Sequence, residues 1–320
     1  MLLFTQYTHP GGTHDISVNE RKTMMKEWNY KNGHRQKFIN AIGDCITPND
    51  EVLYNQNCLF WNEWEPTSVM REVKKCIDAP GILPEYVHSP YLEVDENGIA
   101  IQPKYNGKTY TSHGKQNPCI RQNTDPFVFD EHFHYCRCKQ RTFSTLRKLD
   151  KGSIILFGSI VSKQRGGLYY SLDTVFVVEE SKPYYAREYK RDLGDFVSND
   201  YAQIIGFEQT EHPEQQFTLY KGANYKNPIN GTFSYTPCKL CDGDIVGFPK
   251  ARLYSDRLNK LFDKQIIQDN LNSSPKYTII EDPNDCKIIW DEIRNQIEEQ
   301  GFLLGVKFNY DRHVKENKTI

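Results

Sequence analysis

Residues able to do chemistry gather at a few points of this chain. The run Tyr7-Thr8-His9-Pro10-Gly11-Gly12-Thr13-His14-Asp15 puts two histidines, an aspartate and a glycine pair directly after a candidate strand, Leu2–Thr8. Histidine and aspartate side by side can position a water and take its proton. Gly11 and Gly12 would let the backbone approach a phosphate or sugar and aim amides at it. The same letters also spell a tight strand-to-helix turn with Asp15 or Ser17 as the cap. Farther on, Glu63 and Glu65 flank Trp64, a carboxylate pair suited to acid–base work or a solvated edge beside a core tryptophan. Asn123, Asp125 and Phe127 offer an edge reader, a carboxylate and a stacking ring in one proline-containing loop. An Asx-type turn leading into a strand would read the same way.

Two further segments suit a polyanion. Lys182-Pro183-Tyr184-Tyr185-Ala186-Arg187-Glu188-Tyr189-Lys190-Arg191 alternates aromatic and basic residues, which together stack on bases and neutralise phosphates. A solvated face with tyrosines turned inward gives the same pattern. Lys163-Gln164-Arg165-Gly166-Gly167 is a second flexible basic loop. The backbone contacts expected are therefore Gly11, Gly12, Lys163, Arg165, Arg187, Lys190 and Arg191. Cys136/Cys138 and Cys238/Cys241 could together make a four-thiolate zinc site. However, Cys-x-Cys is not the usual knuckle and the pairs lie far apart in sequence, so the expectation is buried thiols with no metal and no cofactor.

Composition sets outer bounds. The chain has 320 residues, 38% hydrophobic and 13% aromatic, enough for a sizeable core. Forty basic residues against 42 acidic ones give a net charge of −2, which excludes a purely electrostatic nucleic-acid binder and leaves only a local patch. Nine scattered cysteines with no secretory signal point to reduced thiols in a cytoplasm. No apolar run reaches the ~18 residues that a membrane span needs.

Several elements must position these residues. Leu2–Thr8, Glu51–Trp61, Ile154–Gly158, Leu172–Val178, Tyr201–Phe207 and Phe302–Phe308 read as strands. Val18–Ile46, Thr142–Leu149 and Asp285–Gln300 read as helices. The run Ser153-Ile154-Ile155-Leu156-Phe157-Gly158 is almost continuously apolar, as in a parallel strand covered on both faces. Interleaved strands and helices predict an α/β protein, a three-layer α/β/α sandwich with a mostly parallel central sheet and loop insertions. One domain over 1–320 is expected, with an insertion at 80–126 and a helix-rich C-terminal extension at 250–320. Ligands of such sheets bind beyond the carboxyl ends of the strands, which draws attention to the loops after Thr8, Trp61, Gly158 and Phe207.

The order of these motifs resembles the uracil-DNA glycosylase superfamily. Tyr7-Thr8-His9-Pro10-Gly11 is similar to its Gly-x-x-Pro-Gly loop, with Tyr7 in the first glycine's place and His9 in the water-positioning place. Glu51–Pro66 corresponds to the strand that carries a base-reading Asn, here Asn62 with Asn57 in reserve. The helix with Leu146 and Leu149 running into Ile154–Gly158 matches a further stretch, and His212-Pro213 is similar to the late His-Pro loop. The segments Phe60–Pro66, Gln122–Phe129 and Leu172–Val178 also look like those of a prokaryotic group called nucleotide-modification-associated. The resemblance implies a DNA glycosylase that flips a modified nucleobase, such as glucosylated hydroxymethylcytosine in phage DNA, into a pocket. It would hydrolyse the base–sugar bond in anti-phage defence. In that reading His9 and Asp15 surround the water, with Asp125 or Glu63 as the rival base. Asn62, Asn123 and Phe127 hold the base, and His212 stabilises the departing charge. A strand-end loop shows no obvious Schiff-base lysine, so the enzyme would be monofunctional. Two rivals stand beside it: a non-catalytic reader of modified DNA, and a nucleobase-modifying transferase whose donor sits on Gly11 and Gly12.

Overall fold

The computed structural model describes residues 2–9, 36–64, 66, 68–101, 110–112, 115–117, 124–164, 167–206, 213–262, 265–268 and 275–314. The first strands are β1 (Leu2–His9), β2 (Gln36–Ile46), β3 (Val52–Glu63), β4 (Ser68–Glu72), β5 (Lys75–Cys76) and β6 (Tyr86–Val94). Next come β7 (Tyr110–Ser112), β8 (Lys115–Asn117), β9 (His134–Tyr135), β10 (Ile154–Gln164), β11 (Gly167–Tyr185) and β12 (Gln216–Gly222). The last are β13 (Thr236–Leu240), β14 (Val246–Gly247), β15 (Ala251–Tyr254), β16 (Lys276–Ile280), β17 (Leu303–Phe308) and β18 (Asp311–Val314). The α-helices are α1 (Tyr189–Leu193), α2 (Asn199–Gly206), α3 (Ser255–Phe262) and α4 (Pro283–Glu299).

Two seven-stranded sheets carry the fold. One runs β16-β1-β10-β11-β12-β9, with β15 paired to the early part of β11. The other runs β17-β13-β3-β2-β6-β18, with β4 on β6, and β17 returns to pair with β2. That return closes the circuit β2-β3-β13-β17.

The architecture corrects the expected three-layer α/β/α sandwich. The protein is mostly β, and its sheets are mixed rather than mostly parallel. In the first sheet β1 and β10 are parallel, Phe4 opposite Ile154 through His9 opposite Ser159, whereas β10–β11, β11–β12 and β1–β16 are antiparallel. The apolar run at 154–157 has a different cause from parallel pairing. Ile155 and Phe157 enter one hydrophobic cluster while Ile154 and Leu156 enter the other. A strand buried on both faces reads as continuous apolar sequence whatever its neighbours' direction.

Local readings divide in the same way. Residues 36–46 of the expected helix form β2, Tyr201–Gly206 belongs to a helix instead of a strand, and the helix expected at 142–149 is a single 3-10 turn, Ser144–Arg147. The long amphipathic helix holds. Asp282 caps α4 by accepting the Asn284 amide at 2.9 Å, Pro283 opens it, and Cys286, Ile289, Trp290, Ile293 and Ile297 are buried against the sheet. Caps of this kind satisfy an otherwise orphaned amide. Among the described residues no helix is long and apolar enough to cross a membrane.

Candidate functional site

Two strands end at one place. β1 delivers Tyr7 and β3 delivers Asn62 and Glu63, with Gln36 opposite Glu63 and Lys37 opposite Asn62 at the start of β2. The Tyr7 ring is buried, and its hydroxyl lies 2.6 Å from the Cys138 sulfur. Burial, then the neighbouring Cys138 and Tyr135 and the charge of Glu63, push the Tyr7 phenol well above its ordinary value, so it remains a proton donor. Cys138 is partly exposed, and Tyr135 donates to its carbonyl at 2.7 Å.

Asp125 organises the turn that carries Cys138. Its Oδ1 accepts the Cys136 amide at 2.9 Å, and its Oδ2 accepts the Arg137 and Cys138 amides at 2.8 Å each. Burial raises this carboxyl from 3.8 to about 6, against the pull of those three amides. The side chain is fully buried, so Asp125 shapes the site from behind.

A second buried polar layer lies beside β3. Lys250 and Asp173, 3% and 2% exposed, pair at 2.8 Å. Gln36 donates to the other Asp173 oxygen, and the Lys250 ammonium sits 5.7 Å from the Trp61 ring centroid. Burial raises the Asp173 carboxyl, opposed by Lys250 and Gln36. Asn62 belongs to this layer: it donates to Thr174 Oγ1 at 2.8 Å, accepts the Glu63 amide at 2.6 Å, and Thr174 meets Thr236 at 3.0 Å. His88 Nδ1 lies 2.9 Å from Ser68 Oγ. Burial and then the charge of Lys37 lower that imidazole to about 3.

The structure therefore brings Glu63 and Asp125 to one cluster, through Tyr7 and Cys138. Asn62 adjoins it, facing the threonines. Phe127 departs from its expected role as a base stacker. It is wholly buried, with its ring 4.7 Å from Tyr201 and 5.5 Å from Phe129, so the core takes its faces. Arg187 and Arg191 are paired with acids, Arg187 with Glu214 at 2.6 Å and Arg191 with Asp192 at 2.7 Å. Lys190 is exposed beside the Tyr189 ring. These cations meet local acids, which weakens the segment as a phosphate track. His9 is the last residue of β1 and Lys163 lies near the end of β10, their side chains outside what is described. Gly11, Gly12, Asp15, Asn123, Arg165 and His212, with Glu65, lie outside the described residues.

Cys136/Cys138 and Cys238/Cys241 do not assemble as a four-thiolate site. The first pair wraps Asp125, and Cys241 is half-buried near the Gly243 and Asp244 carbonyls. Cys238 meets Cys45 and Cys58 instead. Sequence reasoning missed the Lys250–Asp173 pair. The available signal was a lone aspartate inside Leu172-Asp173-Thr174-Val175-Phe176, since a charge within an apolar strand needs a buried partner. No family model, no curated protein and no solved structure matches the chain.

Proposed function

We propose that the chain is a hydrolase that cleaves the bond between a modified nucleobase and its sugar in DNA, with Glu63 as the working carboxylate. The observation that carries this reading is the meeting of the β1 and β3 ends, where Glu63 acts electrostatically on the Tyr7 phenol and that phenol touches the partly exposed Cys138. Asp125 holds three backbone amides and Asp173 pairs with Lys250; Glu63 is taken as the working carboxylate for its place at the end of β3, within electrostatic reach of the Tyr7 phenol. A carboxylate here would steady the cation-like sugar and align the attacking water. The protonated Tyr7 would supply a hydrogen bond to the departing base or to that water. The cysteines at the described positions are all free thiols, which supports a reducing, cytoplasmic setting, where phage DNA with modified bases is the partner we favour.

The test is incubation of the whole chain with unmodified, hydroxymethylated and glucosylated cytosine DNA, without added cofactor, followed by alkali. Strand breaks confined to a modified substrate are expected, with Glu63→Gln slower by about 10²–10⁴-fold. Uncut strands on every substrate, with DNA still bound, would replace this reading with the reader. Activity that appears only with an added small-molecule donor would replace it with the transferase.

A further inference from the structure

Three strands of the closed circuit each place a cysteine at the same interior point. Cys58 lies on β3 and Cys238 on β13, where Cys238 pairs with Phe60. Cys58, two residues from Phe60, therefore faces the same side as Cys238. Cys45 arrives from β2 just after a register shift between Gly43 and Cys45, a bulge that bends the strand toward β17, where Cys45 pairs with Gly305. The three sulfur atoms all lie within 4.8 Å of one another, and all three residues are 0% exposed.

That spacing is informative. A zinc–thiolate bond is about 2.3 Å, so three thiolates around one ion in a plane sit roughly 4 Å apart. Thiols packed merely as small hydrophobes have no reason to converge in threes from three separate strands. Their surroundings exclude a water-rich ion, because Phe60 and Phe308 stack at 3.8 Å in the same cluster.

We infer that Cys45, Cys58 and Cys238 form a site for one thiophilic d10 cation, Cu(I) or Zn(II), bound by three sulfurs inside the β2-β3-β13-β17 circuit. Among the described residues no fourth His, Cys, Asp or Glu ligand joins the group. Soft thiolate donors select these ions over Mg²⁺ or Ca²⁺. Binding exchanges the thiol protons for the metal, releasing up to three protons with no change of oxidation state. The site is structural in character, closing the circuit from within, and does not depend on the hydrolase reading.

The full chain, unfolded in chelator and refolded without oxygen, would be given one equivalent of Cu(I) or Zn(II) and then desalted. One retained ion per chain is expected for at least one of the two metals, with an all-sulfur first shell of three by X-ray absorption. Retention only of copper or only of zinc identifies the ion. Cys45→Ser, Cys58→Ser and Cys238→Ser should each weaken retention at least tenfold, while Cys241→Ser should not. The inference is overturned if neither metal is retained, or if retention survives the triple serine variant. Should the serine variants fail to fold, the wild-type spectrum decides alone, because nitrogen or oxygen neighbours in the shell also overturn it.

Discussion

Asp125 works by accepting hydrogen bonds, and that defines what its replacement costs. An asparagine keeps one acceptor oxygen but puts an NH2 where Oδ2 now accepts the Arg137 and Cys138 amides. Two buried donors would then face a third donor. Each unsatisfied buried donor costs about 1–3 kcal/mol, so Asp125→Asn should lose about 2–6 kcal/mol in urea unfolding, with the midpoint moving and the slope unchanged. A loss under about 0.5 kcal/mol, the scale of a bland surface change, would refute the organising role. Any fall in activity should follow the unfolded fraction rather than the turnover of folded protein. The sequence marks Asp125 as a carboxylate in a loop, and the structure places it at the candidate site. Its task was illegible because the amides it holds come 11, 12 and 13 residues later, a closure that local turn patterns do not encode.

At the scale of elements, Gly158 shows how a correct residue can suggest the wrong strand. A glycine after Ile154-Ile155-Leu156-Phe157 reads as the end of a strand, yet β10 continues to Gln164. The glycine is there because β11 passes close over it, first the Ser171 carbonyl and then the Tyr170 ring, whose hydroxyl shares its one proton between the carbonyls of Tyr7 and Leu156. A Cβ at Gly158 would lie 2.1 Å from the Ser171 carbonyl oxygen and 2.9 Å from the Tyr170 ring. Gly158→Ala should therefore cost at least the 1–3 kcal/mol typical of overpacking, read as a lowered urea midpoint. Pairing it with Tyr170→Leu should recover part of that loss in a double-mutant cycle. Strict additivity of the two would show that the ring is not what excludes the methyl. The same element scale explains α2. Tyr-Ala-Gln-Ile-Ile-Gly is rich in strand formers, yet Tyr201, Ile204 and Ile205 are all buried at helical spacing, so tertiary burial overrides propensity. Asp285–Gln300 was legible from about four turns of amphipathic pattern, and the structure adds the Asp282 cap and a proline start at Pro283 just before it.

At the scale of the whole molecule, the described residues form two hydrophobic clusters, and strands of both sheets feed alternate side chains into each. That arrangement needs sheet pairings between residues far apart in sequence, such as Cys45 with Gly305 and Leu3 with Ile279. Periodicity alone cannot supply them, which is why double burial was visible in the sequence and the mixed topology was not. The same deep burial holds His88 and His134 as neutral imidazoles. His134, stacked on Tyr201 at 4.9 Å, is lowered to about 3 by burial and then by the charges of His132 and Lys221, and His88 is also lowered to about 3. The unfolded chain takes up these protons near 6.5 and the folded chain does not, so their stabilising effect is complete above that pH and drains away down to about 3. At pH 5 each histidine should remove about 2 kcal/mol. Asp125, raised from 3.8 to about 6, runs the other way: its contribution is lost as pH rises through 6, so acidification returns about 1 kcal/mol. The balance predicts a net fall in unfolding free energy of about 3 kcal/mol between pH 7 and pH 5. His134→Phe keeps the stack on Tyr201 and gives up the imidazole's interaction with the His132 backbone, so the comparison is between the two pH values and not between absolute stabilities. Urea titrations at the two pH values should show that this variant loses about 2 kcal/mol less than the wild type on acidification. An unchanged acid loss in the variant would mean that His134 is already protonated in the fold, and that its burial does not govern the pH response.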